Sequence, residues 1–235
     1  ARLRAEILRD LPEARFVATA AVDRENELRG SEMAFGRRLR SVYNLERARR
    51  ILSLDCDLFG LHPDAQRHSR DWARGRDPKR EMNRLYAVES GFSTTGACAD
   101  HRFQLRPSQF AAFLGALETV LAGAEPAGLD EAGLRFVTAL GLDLAGQRGS
   151  SLISVGRHLP AEVHALAQRI NSKLGAFGKT LDHVEEPNTG DADLGALVTA
   201  MRAGEVDTLL VLGTNPVHAT PGELGFEAAL AKVKN

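Results

Sequence analysis

Cysteine is scarce: Cys56 and Cys98 are the only two in 235 residues. That is too few for a disulfide framework, and too few for an iron–sulfur box, which takes three or four in close spacing. Lysine is nearly absent as well. The basic side chains are arginines apart from Lys79, Lys173, Lys179, Lys232 and Lys234, a bias we read as codon usage before function. Neither sign of charge prevails, because 30 basic and 31 acidic residues leave a formal net charge of -1. A general nucleic-acid binder would carry a basic excess, so no nucleic-acid partner is expected. No apolar run approaches the roughly 20 residues of a membrane helix, and direct membrane insertion is not expected. No basic stretch followed by an apolar one marks a signal peptide. The chain opens at Ala1 rather than methionine and stops just after a helical pattern, so it reads as a piece of something longer.

What is present is a globular composition, 43% hydrophobic and 26% charged, sufficient for one large domain or two of roughly 100–150 residues. Short β-branched or leucine-rich runs alternate with helical patterns, which predicts an α/β fold with mostly parallel sheets in Rossmann-like layers. Strands are expected at 16–20, 51–54, 85–89, 151–155 and 208–213, with a weaker one at 181–184. The run Leu209-Leu210-Val211-Leu212 is the most continuously apolar of them, the pattern of a buried parallel strand. Helical stripes follow the i, i+3, i+4, i+7 rule at Phe110, Phe113, Leu114, Leu117, Val120 and Leu121, and again at Val163, Leu166, Ala167, Ile170 and Leu174. A third, Leu194, Leu197, Val198 and Met201, is opened by Asp191 or Asp193 and closed by Gly204. The small-residue stretch 122–130 is the expected linker between a first region, 1–125, and a second, 126–235.

Candidate sites are few. Residues 67–84 carry Arg67, Arg70, Arg74, Arg76, Lys79, Arg80 and Arg84, but interleaved acids screen them, and a solvated helix face with a loop is expected. The histidines at 62, 68, 101, 158, 164, 183 and 218 show no zinc spacing; His62 and His68, six apart, do not share a helix face, and no metal site is expected. Cys56 lies between Asp55 and Asp57, which oppose a reactive thiolate; it and Cys98 are expected to be structural, buried or half-buried thiols. No residue is singled out as catalytic. Two loops follow strands: 90–96, rich in hydroxyls and glycine, and Gly213-Thr214-Asn215-Pro216. Ligands of open α/β sheets bind at such strand ends; 90–96 reads as a phosphate or ribose contact but carries neither a GxGxxG nor a P-loop pattern, and a plain turn explains 213–216 equally well.

Three blocks in order carry a resemblance: Ile51-Leu52-Ser53-Leu54-Asp55-Cys56-Asp57; Leu85-Tyr86-Ala87-Val88-Glu89 running on to Ala99-Asp100-His101-Arg102 and Leu105-Arg106-Pro107; and Leu209-Leu210-Val211-Leu212-Gly213-Thr214-Asn215-Pro216-Val217. Together they resemble the molybdopterin oxidoreductase superfamily, the large subunits related to dimethyl sulfoxide reductase and formate dehydrogenase. The runs Met82–Ser90 and Thr95–Arg102 are similar to the molybdopterin-type domain of the iron–sulfur subunit of alternative complex III, a quinol-oxidising respiratory assembly. The resemblance implies Rossmann-like layers, an extracytoplasmic (periplasmic) location, and as partners an iron–sulfur domain of the same subunit and membrane quinol-oxidising subunits.

Carried over residue by residue, the resemblance implies a lost ligand chemistry. Cofactor-binding relatives have a glycine after the first strand, where this chain has Asp55. A carboxylate beside a pyrophosphate is repelled by roughly 1 kcal/mol in water and severalfold more at an effective dielectric near 20. The relatives end the second strand Asp-Pro-Arg, and here Glu89-Ser90-Gly91 stand; Glu89 retains the chemistry to bond a ribose. Where relatives continue Gly-Thr-Asp after Arg106-Pro107, here Ser108-Gln109-Phe110 follow. Gly213, Thr214, Asn215 and Pro216 keep the pattern. The implied role is a cofactor-free scaffold of an electron-transfer complex. The alternative is part of a catalytic molybdenum or tungsten enzyme in which Glu89, Gly213, Thr214 and Asn215 line molybdopterin guanine dinucleotide and the metal ligand lies elsewhere.

Overall fold

Arg50–Leu54 is buried at every position, as a strand covered on both faces must be, and the fold is built outward from it. The computed structural model describes residues 2–20, 23–79, 81–186 and 193–235. In chain order, α1 (Arg2–Asp10), α2 (Glu25–Phe35), β1 (Leu39–Tyr43), β2 (Arg50–Leu54), α3 (Ala65–Arg74), β3 (Arg84–Glu89), α4 (Thr94–Cys98) and β4 (His101–Gln104) make the first part. There follow α5 (Phe110–Leu121), α6 (Glu131–Gly146), β5 (Ser151–Val155), α7 (Ala161–Lys173), β6 (Leu181–Glu185), α8 (Leu194–Ala203), α9 (Pro216–Ala219) and α10 (Phe226–Leu230).

The chain divides into two compact units, Arg24–Pro187, and Ala1–Asp23 with Asn188–Asn235. The larger is an α/β unit around a four-stranded sheet in the order β4-β3-β2-β5, parallel throughout, with Ile51 of β2 aligned to Leu85 of β3 and Leu152 of β5. Because side chains alternate across a strand, Leu52, Leu54, Val88 and Ile153 join the stripes of α5, α6 and α7 in one core. Ile51, Leu85 and Leu152 join Tyr43, Leu45, Leu58 and Leu181 in the other. β1 and β6 form a separate antiparallel pair. At the amino end of the sheet, Asp143 of α6 accepts from Arg50 Nε at 2.7 Å, Arg84 at 2.8 Å and the Tyr86 hydroxyl at 2.7 Å. Burial works to raise the Asp143 carboxyl, but the Arg50 and Tyr86 hydrogen bonds and the nearby guanidiniums outweigh it and hold its pKa below the usual carboxylate range.

β5 is an edge strand, and side chains close its open side. The Asn171 amide accepts from Ile153 N–H and donates to Ile153 C=O, both at 2.9 Å. Thr180 Oγ1 donates to Ser151 C=O at 2.7 Å, and the Tyr43 hydroxyl accepts from Val155 N–H at 3.4 Å. These groups do for the edge what a further strand would do.

Strands expected at 51–54, 85–89 and 151–155 are β2, β3 and β5. The expected junction near residue 125 does not separate two sheets, since β5 from beyond it pairs with β2 from before it. Residues 122–130 instead connect α5 to α6, which pack together. The expected strands at 16–20 and 208–213 are not strands. Phe16 lies under the Arg4 guanidinium at 4.5 Å, and β5 has no unpaired edge to offer a 208–213 strand. The 181–184 candidate is β6, outside the parallel sheet.

In the smaller unit, Asp193 caps α8 by accepting from Ala196 N–H at 2.7 Å, and Gly204, at φ +74°, ends it; Asp191, the other expected opener, lies outside the described residues. Val198 and Met201 of α8 are buried with Phe226 and Ala229 of α10. Leu209 N–H bonds Asn235 C=O at 2.9 Å, while Leu210 and Leu212 are 78% and 77% exposed.

Helices α2 and α7 meet at Gly30, where an added Cβ would lie 2.4 Å from His164 Cβ and 2.7 Å from Ala161 O. Gly30→Ala is expected to destabilise the larger unit by about 1–3 kcal/mol in urea unfolding, the usual range for overpacking. Burial also pushes the His164 ring down to about 4. The unfolded chain takes up this proton first, so stability present above pH ~6.5 is expected to decline as pH falls toward 4, by up to about 3 kcal/mol for this one ring. Unfolding free energies measured from pH 7.5 to 4.5 check this: His164→Gln is expected to flatten the slope in that window.

Candidate functional site at the strand carboxyl ends

Successive strands lie on one side of β2 as the chain passes to β3 and β4, and β5 returns to its other side. The carboxyl ends of β2 and β5 therefore border the place where chain direction in the sheet reverses, the usual crevice for ligands in open α/β sheets. Asp55 stands there. Its N–H still bonds Val88 C=O at 2.8 Å, but its φ is +46°, and it is the one non-glycine with positive φ among the described residues. Aspartate tolerates this left-handed conformation better than most side chains. The neighbouring Gly156 makes the bend possible: a Cβ there would sit 2.1 Å from Asp55 O.

The Asp55 carboxylate faces inward, only 11% exposed. It accepts from Ser90 N–H at 2.9 Å, from Ser90 Oγ at 3.1 and 3.2 Å, and contacts His158 Nε2 at 2.9 Å. One acid thus ties the ends of β2, β3 and β5 together. Two residues on, Asp57 ties the loop after β2 to α4, accepting from Thr95 N–H at 3.0 Å, Thr95 Oγ1 at 2.9 Å and Leu61 N–H at 3.1 Å.

Glu89, at the end of β3, is buried and fully engaged. It accepts from Ser93 Oγ at 2.5 Å and from Arg102 Nε at 2.6 Å. Ser93 Oγ in turn accepts from Gly96 N–H at 2.9 Å, capping the short α4. Arg102 also bonds Gly91 C=O at 3.0 Å and lies over the Phe92 ring. The 90–96 loop, with the hydroxyls and glycines of an anion cradle, thus spends the N–H groups of Ser90, Thr95 and Gly96 on acceptors from within the chain.

The other sequence candidates have different settings. Gly213, Thr214 and Asn215 belong to the smaller unit and precede α9, with Gly213 at φ +72°. The arginines of 67–84 are mostly paired: Arg70 with Asp71, Arg74 with Glu46, Arg76 with Asp100 and Arg84 with Asp143; Arg80 lies outside the described residues. Burial raises the Cys56 thiol to about 12, leaving it inert at neutral pH. Cys98, expected to be at least half-buried, is exposed at the end of α4.

Sequence spacing concealed one cluster. His62, in the loop after β2, and His68, on α3, have ring centroids 4.5 Å apart, and their donor atoms lie within 4.8 Å of each other and of Asp64. Burial lowers both rings' pKa, that of His62 to about 4, with the neighbouring imidazole and guanidiniums adding to the effect on His62. A tetrahedral metal would need its ligand atoms about 3.4 Å apart. Here the Arg67 guanidinium already contacts Asp64 at 3.1 Å and His68 Nε2 at 3.4 Å, so a side-chain cation stands among the donors.

Asp55→Gly relieves a left-handed aspartate but deletes bonds joining three strand ends. Charge-assisted hydrogen bonds outweigh the strain, so a net loss of about 1–3 kcal/mol is expected in urea unfolding; an unchanged or raised midpoint would show the bend to be held by backbone alone. No protein-family model matches the chain, and no curated protein matches it.

Proposed function

We propose that this chain is an α/β segment, with Rossmann-like layers, of a molybdopterin oxidoreductase-like subunit, and that it serves as a cofactor-free scaffold in a quinol-oxidising electron-transfer complex. On this reading an iron–sulfur domain of the same subunit and membrane subunits dock around it on the extracytoplasmic side. Electrons pass through neighbouring cofactors and not through its residues. Fold alone does not carry function, so the reading rests on the site.

The observation that carries it is Asp55. The motif resemblance puts a glycine where the cofactor's pyrophosphate passes, and this residue has a glycine-like backbone, φ +46°, but carries a carboxylate. That carboxylate takes the Ser90 donors, groups of the kind a bound phosphate would use. Glu89, the remaining candidate for a ribose contact, has both oxygens committed to Ser93 and Arg102. For molybdopterin guanine dinucleotide to lie here, it would have to displace these bonds and accept the repulsion of Asp55. The residues present fit the group poorly, and no chemical step is assigned through it.

The alternative, a working molybdenum or tungsten oxidoreductase, draws on Gly213, Thr214 and Asn215, which keep the pattern of the cofactor-binding relatives. Metal analysis separates the two. The protein carrying this chain, purified from cells replete in molybdenum and tungsten, is expected to contain neither metal in stoichiometric amount and to release no fluorescent oxidised pterin. Either one at one per subunit would establish the enzymatic alternative instead.

A further inference from the structure

A second feature of the larger unit stands apart from the crevice around Asp55. A cavity of about 130 Å³ opens between the start of α2, the strand β1, the loop after β2 and the turn after β5. Three guanidiniums line it: Arg24, Arg40 and Arg157. Arg24 and Arg40 share a single carboxylate, both bonding the same oxygen of Glu186, at 2.7 and 2.8 Å. Arg157 is half-buried, and among the described residues its guanidinium has no hydrogen-bond or ion-pair partner, though its charge acts on the buried Glu27.

The acids on the lining do not balance this charge. Asp64 is held by Arg67 at 3.1 Å. Glu27 is buried and accepts from Ser41 N–H at 2.7 Å; burial raises its carboxyl, while the Ser41 hydrogen bonds and the Arg157 and Arg24 guanidiniums work to lower it. His62 adds a neutral donor: its Nδ1 accepts from Asp64 N–H at 3.1 Å, so the ring proton sits on Nε2. Among the described residues the lining thus has spare donors and more guanidiniums than carboxylates bonded to them, and Glu27 is the acid whose charge meets Arg157.

Size limits what fits. Pockets for drug-sized ligands run to about 300–1,000 Å³, so a cavity of about 130 Å³ admits one small group and not a nucleotide. Guanidinium forks recognise planar and tetrahedral oxyanions, and several of them together favour the more highly charged phosphate over a carboxylate. We propose that this cavity binds one phosphate-sized oxyanion, inorganic phosphate or the phosphate of a small phosphomonoester, held chiefly by Arg157 and Arg40 with Arg24 and the His62 ring beside it.

The test is a titration of the 235-residue chain at low, constant ionic strength with inorganic phosphate and, separately, glycerol phosphate, followed by NMR of the His62 ring and the arginine Nε–H groups. Saturable shifts centred on His62 and Arg157 are expected. Binding is expected to weaken about tenfold or more in Arg157→Met, with the urea midpoint unchanged, while Arg135→Met on the exposed face of α6 binds as before. Equal affinity for both ligands places the cavity mouth open to a phosphomonoester; binding of inorganic phosphate alone marks it as closed around the free ion. Should Arg157→Met fail to fold, Arg157→Lys keeps the charge, removes the fork, and is expected to weaken binding by a smaller factor. The proposal is overturned by linear, non-saturating shifts that chloride reproduces, by acetate binding as tightly as phosphate, or by phosphate affinity unchanged in whichever Arg157 variant folds.

Discussion

A parallel sheet leaves backbone groups over at two places, along its outer edges and in the loops at its strand ends, and burying them unpaired is expensive. This chain meets many of them with its own side chains. Along β5, Asn171, Thr180 and Tyr43 supply the partners a neighbouring strand would otherwise give. At the carboxyl ends, Asp55, Asp57 and Glu89 accept from the Ser90, Thr95, Leu61 and Ser93 donors. The sheet ends where it does, and its loops hold their shape, because these acceptors are built in.

That internal satisfaction bears directly on ligand chemistry. Strand-end loops recruit phosphates because their N–H groups have no other partner and the local dipoles favour negative charge. In this crevice the negative charge is already part of the chain, and it is locked to three strands at once. On the β1 side the balance is reversed: among the described residues guanidiniums outnumber the carboxylates bonded to them, and the Arg157 guanidinium has no hydrogen-bond or ion-pair partner. Two neighbouring regions of one unit thus have opposite electrostatic characters, one closed by carboxylates and one suited to a small anion.

Legibility followed contact distance along the chain. The stripes of α5 and α7 and the caps of α8 could be read because a helix repeats its buried face every three or four residues and is bounded by local signals such as Asp193 and Gly204. α6 holds Gly133, Gly141 and Gly146, each unfavourable within a helix, which weakens its local signal. At Gly141 the missing side chain serves packing, since a Cβ would meet Val120 at 2.5 Å. The short strands β1 and β4 carry half-exposed, charged sequences and gave no apolar run to find. Leu209-Leu210-Val211-Leu212 gave a clear run and made no strand, because apolar character marks what would be buried and not whether a partner exists to bury it. At the site, Asp55 stood out from the motif alone. The pairing of His62 with His68, and the lack of a hydrogen-bond or ion-pair partner for the Arg157 guanidinium among the described residues, depend on loops and helices that meet only in the folded chain.

The sequence by itself determined the alternation of helix and strand, the central parallel strands and the acid at residue 55, since each rests on a few adjacent residues and their intrinsic preferences. Tertiary structure alone decided that one sheet crosses residue 125, that β5 is its edge, and that each carboxylate at the strand ends has its donors. Those outcomes are set by which backbone groups find partners across long separations in sequence, and hydrogen-bond pairing of that kind leaves no periodic trace along the chain.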